Sequence, residues 1–258
     1  MKQKALVVLS GGQDSTTRLF WALSQGWDVS AITFNYGQRH VREIDAAVKI
    51  AQLAGVADKH EILTLGDVLK GTSPLVSDAP LEQYADAQSL PGGLEKTFVP
   101  MRNQLFLTLA ANRAYVAGAS VLVTGVCQED FGGYPDCRRN FIDALQEACN
   151  LGTFCEGEQG LLSVQTPLMY LTKAASVHLA INLPGAYAAL AWTHTAYDGA
   201  YPPVGHDHAT LLRAKGFEEA CVPDPLVLRA VKEGLMEMPE TSNYAPEALE
   251  RVKHLLEE

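Results

Sequence analysis

The chain has 258 residues, of which 47% are hydrophobic and 19% are charged, a composition typical of a globular domain with a substantial core. Its formal net charge of −10 disfavours stable binding to nucleic acid, because such binding depends on neutralising phosphates. No apolar run approaches the ~18 residues of a membrane span, so we expect a protein that is not held at a membrane. Five cysteines without a CxxC pair argue against a disulfide framework, and we therefore expect a cytoplasmic protein.

The first predicted strand leads into a glycine-rich loop. The apolar residues 5–9 indicate a strand buried on both faces, and residues 18–25 have helical character. The loop between them, residues 10–17 (SGGQDSTT), places free N–H groups at the amino end of the first helix, which favours an anion such as phosphate. It has neither the lysine of a P-loop nor the spacing of a dinucleotide fingerprint; it resembles the pyrophosphate loop of ATP pyrophosphatases. The alternative is a turn whose Ser and Asp cap the helix.

The next elements alternate between strand and helix. Residues 28–34 predict a second strand, 41–53 a helix and 59–63 a third strand. This alternation implies an α/β fold with a parallel sheet and helices on both faces, whose ligands lie beyond the carboxyl ends of the strands. Arg39 and His40 close the loop after the second strand. They either face an anionic ligand or are a solvated arginine and a histidine at a helix entry, and the residues alone leave both interpretations open.

A polar stretch over residues 71–96 predicts a long loop of the kind that forms lids or mobile segments. The elements predicted after it are a helix over 104–117, a strand over 120–125, a helix over 140–149, a strand over 162–168 and a helix that begins near Lys173.

Five segments in the right order resemble the 7-cyano-7-deazaguanine synthase family. They are residues 10–17, 34–40 (FNYGQRH), 98–103 (FVPMRN), 129–138 (EDFGGYPDCR) and 165–173. The resemblance covers roughly residues 4 to 222. It implies a PP-loop fold of the adenine nucleotide α-hydrolase type, and a reaction in which 7-carboxy-7-deazaguanine, ammonia and ATP give a nitrile. We expect a single domain over 1–258, with a core to about 185 and a mostly helical region over 186–258, and the family suggests a homodimer.

The resemblance also implies a nucleotide site. Backbone N–H groups of the glycine loop would cradle pyrophosphate, Asp14 would orient Mg²⁺ and Lys173 would neutralise a phosphate. The expected nucleotide-binding residues are Ser10, Gly11, Gly12, Gln13, Asp14, Ser15, Thr16, Asn35, Arg39, His40, Arg102, Asn103 and Gly125. The expected catalytic residues are Asp14, Ser15, Arg102 and Lys173.

The segment over residues 126–139 is dense in aromatic and acidic side chains, which suits a deazapurine. An aromatic face can stack on the ring, and a carboxylate can accept from its amidine edge. The expected substrate-binding residues are Glu129, Asp130, Phe131, Tyr134, Asp136 and Arg138. The alternative is a capped loop with Asp136 as a helix N-cap. Members of the family usually have Ser where this chain has Gly132, so one hydroxyl is missing.

The chain departs from the family near its C-terminus. The family carries four zinc-binding cysteines, and the aligned positions here are Ala196, Val204, Asp207 and Thr210. One interpretation is a metal site of other ligands, with His194, His206, Asp207 and His208 as candidates. The other, which we prefer because alternate residues of an extended stretch point to opposite sides, is a loop without zinc, held by the packing of Trp192, Tyr197, Tyr201 and Phe217.

Two further amphipathic helices are predicted beyond the usual end of the family, over residues 225–238 and 245–257. Either they cover the loop over residues 196–210 that lacks the zinc-binding cysteines, which we call the altered loop, or they form a dimer contact. For function, the alternatives are a related ligase that uses another amine or stops at the amide, and a nucleotide-binding module without turnover. A tRNA-modifying enzyme with the same loop is disfavoured by the charge.

Overall fold

The computed structural model describes residues 2–38, 42–77, 79–90, 94, 96–127 and 134–256. Its strands are β1 Lys4–Val8, β2 Asp28–Asn35, β3 His60–Thr64, β4 Val121–Val123 and β5 Ser163–Gln165. Its α-helices are α1 Gln13–Ser24, α2 Arg42–Leu53, α3 Arg102–Ala117, α4 Arg139–Gly152, α5 Lys173–Ile181, α6 Ala186–Ala189, α7 His208–Glu219, α8 Pro225–Lys232 and α9 Pro246–Val252.

The five strands form one parallel sheet in the order β3-β2-β1-β4-β5, which confirms the predicted α/β class. In the centre, Leu6 of β1 aligns with Ser30 of β2 on one side and with Leu122 of β4 on the other. The chain runs from β1 towards one edge and then from β4 towards the opposite edge. Ligands of such sheets bind where the order reverses, so the carboxyl ends of β1 and β4 mark the expected site.

Helices cover both faces of the sheet. Neighbouring residues of β1 point to opposite faces, so Leu6 packs with residues of α3 and α4 whereas Val7 packs with residues of α1 and α2. Burial on both sides explains why β1 is an uninterrupted apolar run. In a separate cluster, Phe20 of α1 packs with Phe217 of α7. The first helix therefore contacts both the sheet and the C-terminal helices.

Several predicted elements differ in extent from the observed ones. The helix predicted over residues 225–238 is the shorter α8, which is followed by Gly234 at a φ of 72°. The predicted 245–257 helix is α9 followed by a 3₁₀ turn over Lys253–Leu256. Helix α3 begins at Arg102 rather than at 104. Among the helices in the described part of the chain, none has the length and apolar character needed to cross a membrane.

The predicted long loop packs against the body of the molecule where it is described. Val76 is buried with Leu69 and Val99 in a small apolar cluster. The N–H of Tyr84 donates to the carbonyl of His206, 2.9 Å away. This segment therefore lies over the loop that leads into α7.

Candidate active site

The glycine-rich loop is held in place by two neighbouring segments. Gly11 has a φ of 86°, and a Cβ at this position would lie 2.3 Å from the carbonyl oxygen of Glu43. The Gly11 carbonyl accepts from the N–H of His194 at 2.9 Å. The loop needs glycine at position 11 for two reasons, the left-handed backbone conformation and the close approach of Glu43.

The loop ends at the N-terminus of α1. Gly12 is the N-cap residue and no side chain caps the helix, so the alternative of a helix capped by Ser and Asp is wrong. The hydroxyls of Ser15 and Thr16 both donate to the Gly12 carbonyl at 2.9 Å. The first-turn N–H groups of a helix have no intrahelical partner and attract an anion.

Asp14 and Lys173 form an ion pair, with 2.5 Å between Oδ2 and Nζ. The pair joins the first turn of α1 to the first residue of α5 and is largely buried, with side chains 23% and 17% exposed. Close packing supports it, because a Cβ at Gly216 of α7 would lie 2.7 Å from the Cβ of Lys173. The second oxygen of Asp14, Oδ1, is buried without a hydrogen-bond partner among the described groups. A buried carboxylate oxygen of this kind suits a cation.

Arg102 lies at the start of α3, directly after Met101, whose φ is 65°. Burial alone lowers the pKa of Arg102, but nearby tyrosines and the carboxylate of Asp136 more than offset it, and the pKa is raised overall. The tyrosines are Tyr36, Tyr197 and Tyr134. The guanidinium is thus a permanent positive charge among aromatic rings.

The segments around residues 97–103 and 134–138 meet in space. The Tyr134 hydroxyl is 2.8 Å from that of Thr97, and the amide of Asn103 donates to the sulfur of Cys137. Burial raises the pKa of Asp136, although Arg102 and Asn103 oppose the rise. Asp136 is not a helix cap, because the N-cap of α4 is Arg138.

The Asp14–Lys173 pair, Arg102 and Tyr134 line a cavity of about 390 Å³ at the carboxyl ends of β1 and β4. The sequence-predicted residues that line it are Ser10, Gly12, Gln13, Asp14, Ser15, Arg102, Asn103, Gly125, Tyr134 and Lys173. Those that are described but do not line it are Gly11, Thr16, Asn35, Asp136 and Arg138. Arg39, His40, Glu129, Asp130 and Phe131 lie outside the described residues.

Several lining residues were not predicted from the sequence, among them the charged residues Arg18 and Glu43. Arg18 is buried, and both hydrogen bonds that it donates within the described chain go to the Val8 carbonyl, at 3.1 Å and 2.6 Å. Burial lowers its pKa to about 10, against the opposing charge of Asp14. The feature of the sequence that could have indicated Arg18 is its position four residues after Asp14, which places both side chains on the same face of α1. Glu43 carried no signal beyond its place in the first turn of a helix.

A comparison with protein families matches residues 4–221 to the family described as queuosine biosynthesis protein QueC. The chain belongs to the QueC family. It is 50% identical over 226 residues to a protein of Gloeobacter violaceus, covering 87% of this chain and 95% of the relative. It is 51% identical over 236 residues to a protein of Chromobacterium violaceum, covering 90% of this chain and 96% of the relative. Both relatives are named 7-cyano-7-deazaguanine synthase.

Among solved structures, the chain is similar to a 4-thiouridine synthetase–RNA complex with bound ATP. The two are 17% identical with a TM-score of 0.46, and the match covers 91% of this chain and 54% of that one.

In this QueC family chain, the four positions that we expect to align with zinc-binding cysteines lie in a loop with hydrogen bonds of its own. Asp207 is the N-cap of α7 and accepts from the N–H and the hydroxyl of Thr210, at 3.1 Å and 2.7 Å. Ala196 is buried and Val204 is exposed. Within the described ranges, no group of three or more His, Cys, Asp or Glu side chains is placed to hold a metal ion. Of the candidate ligands, His194 and His208 line the cavity, whereas His206 is exposed.

The segment beyond the QueC match packs on this loop. Arg229 of α8 stacks between Trp192 and Tyr201, with its guanidinium carbon 4.5 Å and 4.4 Å from the ring centroids. Glu233 accepts from the Tyr201 hydroxyl at 2.8 Å and from Arg229 at 3.0 Å. Of the two roles left open for the added helices, covering the altered loop is therefore observed for α8. A dimer contact stays a prediction.

Proposed function

We propose that this chain converts 7-carboxy-7-deazaguanine and ammonia to 7-cyano-7-deazaguanine at the expense of ATP, through an adenylated intermediate in queuosine biosynthesis. The observation that carries the proposal is the meeting of the glycine-rich loop, Arg102 and Lys173 at one cavity. Its support from outside the structure is that the curated relatives are named for this activity.

The reaction needs activation because the oxygen of a carboxylate is a poor leaving group. Transfer of AMP from ATP makes a mixed anhydride, which ammonia opens to the amide. A second transfer of AMP to the amide oxygen, followed by loss of AMP, gives the nitrile. Such transfers depend on positioning and charge neutralisation, which a cavity lined by Arg18, Arg102 and Lys173 supplies.

In this proposal the first-turn N–H groups of α1 cradle the pyrophosphate, and Arg102 and Lys173 neutralise phosphate charge. The Oδ1 of Asp14, which has no hydrogen-bond partner among the described groups, fits a magnesium ion carried by the nucleotide. When bound, that ion would supply charge neutralisation for the departing pyrophosphate. Asn103 and Gly125 shape the nucleotide side of the cavity.

For the deazapurine, we propose stacking on Tyr134 and hydrogen bonds from the segment over residues 129–138. Tyr134 is fixed by its contact with Thr97 and by packing on Phe98, with ring centroids 5.4 Å apart. Asp136, Arg138 and the acidic and aromatic residues of this segment remain substrate-binding candidates. We further propose a single-domain cytoplasmic enzyme without zinc that acts as a homodimer.

Product analysis by mass spectrometry tests the proposal, with Mg-ATP, ammonium chloride and 7-carboxy-7-deazaguanine as the reactants. We expect the nitrile, AMP and pyrophosphate. A product that stops at the adenylate or the amide would indicate a related ligase instead. If no ATP is consumed, the chain is a nucleotide-binding module and the proposal is wrong.

A further inference from the structure

Glu43 lies in the first turn of α2, and its side chain lines the same cavity as Asp14 and Arg102. Its backbone is fixed against the glycine-rich loop, because its carbonyl oxygen is the atom that a Cβ at Gly11 would meet. The backbone of Glu43 is therefore fixed beside the loop where the nucleotide phosphates are proposed to bind.

Only two described residues that line the cavity carry a carboxylate, Asp14 and Glu43. Asp14 is bound to Lys173. Within the described chain, Glu43 donates or accepts no side-chain hydrogen bond and has no cation within ion-pair distance. Among the described residues that line the cavity, Glu43 is therefore the acidic group that is not bound to a protein cation.

The groups that face Glu43 come from several elements. They are Tyr36 after β2 and Arg102 of α3, with the Asp14–Lys173 pair and His194 elsewhere on the cavity wall. Burial raises the pKa of Glu43 to about 7, and Arg102 opposes the rise. A carboxyl group with such a pKa can take up and release a proton near neutral pH.

The proposed reaction must remove three protons from one nitrogen atom. When ammonia attacks the acyl adenylate, the C–N bond forms, the bond from carbon to the AMP oxygen breaks and one proton leaves nitrogen. When the amide oxygen attacks the α-phosphorus of the second ATP, pyrophosphate leaves and a second proton is lost from nitrogen. When AMP leaves the resulting imidate, carbon and nitrogen form the triple bond and the third proton departs.

We propose that Glu43 is the general base that accepts these protons from nitrogen. The inference rests on the proposed function, because it assigns a residue to the steps that follow adenylation. Asp14 is unsuited to this role, since Lys173 already binds one oxygen and the other suits a cation. Arg102 keeps a positive charge beside Glu43 through each cycle, which favours the return of the base to its ionised form after the proton leaves for solvent.

Glu43→Gln tests the assignment, because the amide keeps the size of the side chain and cannot accept the proton. Pyrophosphate release in a single turnover without ammonia reports adenylation alone and should stay within about twofold of wild type. Amide formation at a fixed concentration of free ammonia should fall by about 10² to 10³-fold. We expect the pH profile of the wild-type protein to rise near pH 7, and this rise should be lost in Glu43→Gln.

Asp45→Asn is the matched control, since Asp45 is an exposed acidic residue in the same turn of α2; both steps should be unchanged. Melting temperatures of all three proteins establish that they fold. The assignment is overturned if Glu43→Gln forms amide at the wild-type rate, or if it loses adenylation as much as amide formation, which would mark a binding residue. Absence of pyrophosphate release from the wild-type protein would instead overturn the proposed function itself.

Discussion

Arg213 and Asp224 form a bidentate ion pair, with Nε–Oδ2 and Nη2–Oδ1 distances of 2.6 Å and 2.8 Å. The pair is buried, since both side chains are 3% exposed. Arg213 lies in α7, within the region that matches the QueC family, and Asp224 lies beyond it as the N-cap of α8. Arg213 also donates to the hydroxyls of Thr193 and Thr195, at 2.7 Å and 2.9 Å. The pair therefore fastens the C-terminal extension to the loop at the altered cysteine positions.

Asp224→Ala should destabilise the protein strongly. It leaves a buried guanidinium without its carboxylate and removes a helix cap, and breaking a buried pair in this way costs about 3–5 kcal/mol. Denaturant unfolding measures the change. The control is Glu250→Ala, which removes an exposed pair with Lys253 and should cost less than about 1 kcal/mol. Equal stability of the two variants would mean that the pair does not hold the extension in place.

Removal of metal should leave stability unchanged. Asp207 and Thr210 are hydrogen-bonded to each other, and α8 supplies further contacts through Arg229. We expect the same melting temperature before and after dialysis against a strong chelator, with metal content checked by atomic emission. A fall of many degrees on dialysis would show that a metal ion stabilises the loop after all.

Asp14→Ala should abolish pyrophosphate release. The change removes the carboxylate proposed to orient Mg²⁺ and its ion pair with Lys173, and loss of one such electrostatic contact lowers turnover by about 10²–10³-fold or more. Pyrophosphate release measures the effect, and circular dichroism should show an intact fold because Asp14 lies at the cavity edge of α1. Turnover near the wild-type rate would refute the role.

Substitutions at Arg18 and Gly125 should have coupled effects on the free energy of unfolding. A Cβ at position 125 would lie 1.1 Å from Nη1 of Arg18, so Gly125→Ala must displace the guanidinium from the Val8 carbonyl, at a cost of about 1–3 kcal/mol. Arg18→Met removes the clash, so the double variant should be more stable than the sum of the two single changes predicts. Gly152→Ala, a glycine of α4 with open space around it, is the control. Simple additivity in denaturant unfolding would contradict the coupling.

Glu43 should make stability depend on pH. Its pKa is raised by burial from 4.5 to about 7, so the fold favours the protonated form, and this stabilisation is present below pH 4.5 and lost as pH rises through 7. Glu43→Gln avoids the buried charge. It should therefore be more stable than wild type at pH 8 by about 1–3 kcal/mol, and similar at about pH 4. Urea unfolding at the two pH values, with Asp45→Asn alongside, tests the sign; a variant less stable than wild type at pH 8 would show that the charge is stabilised.

The elements with a strong local pattern were predicted from the sequence. The apolar run before the glycine-rich loop identified the central strand, because a strand covered by helices on both faces has no polar side. The alternation of strands and helices predicted the parallel sheet, and the motifs around Arg102 and Tyr134 indicated the family to which the chain belongs. Boundaries such as the end of α8 were missed, since they depend on single turns.

The sequence by itself determined the fold class, the family and the loop at the amino end of α1, because each rests on residues that are close together along the chain. Only the tertiary structure decided which side chains share the cavity. Lys173 reaches Asp14 across 159 residues, and Arg18 and Glu43 become cavity residues through the packing of α1 and α2 on the sheet. It also decided what holds the altered loop, because the Arg213–Asp224 pair is stable only where both charges are enclosed together, and no spacing in the sequence encodes that enclosure.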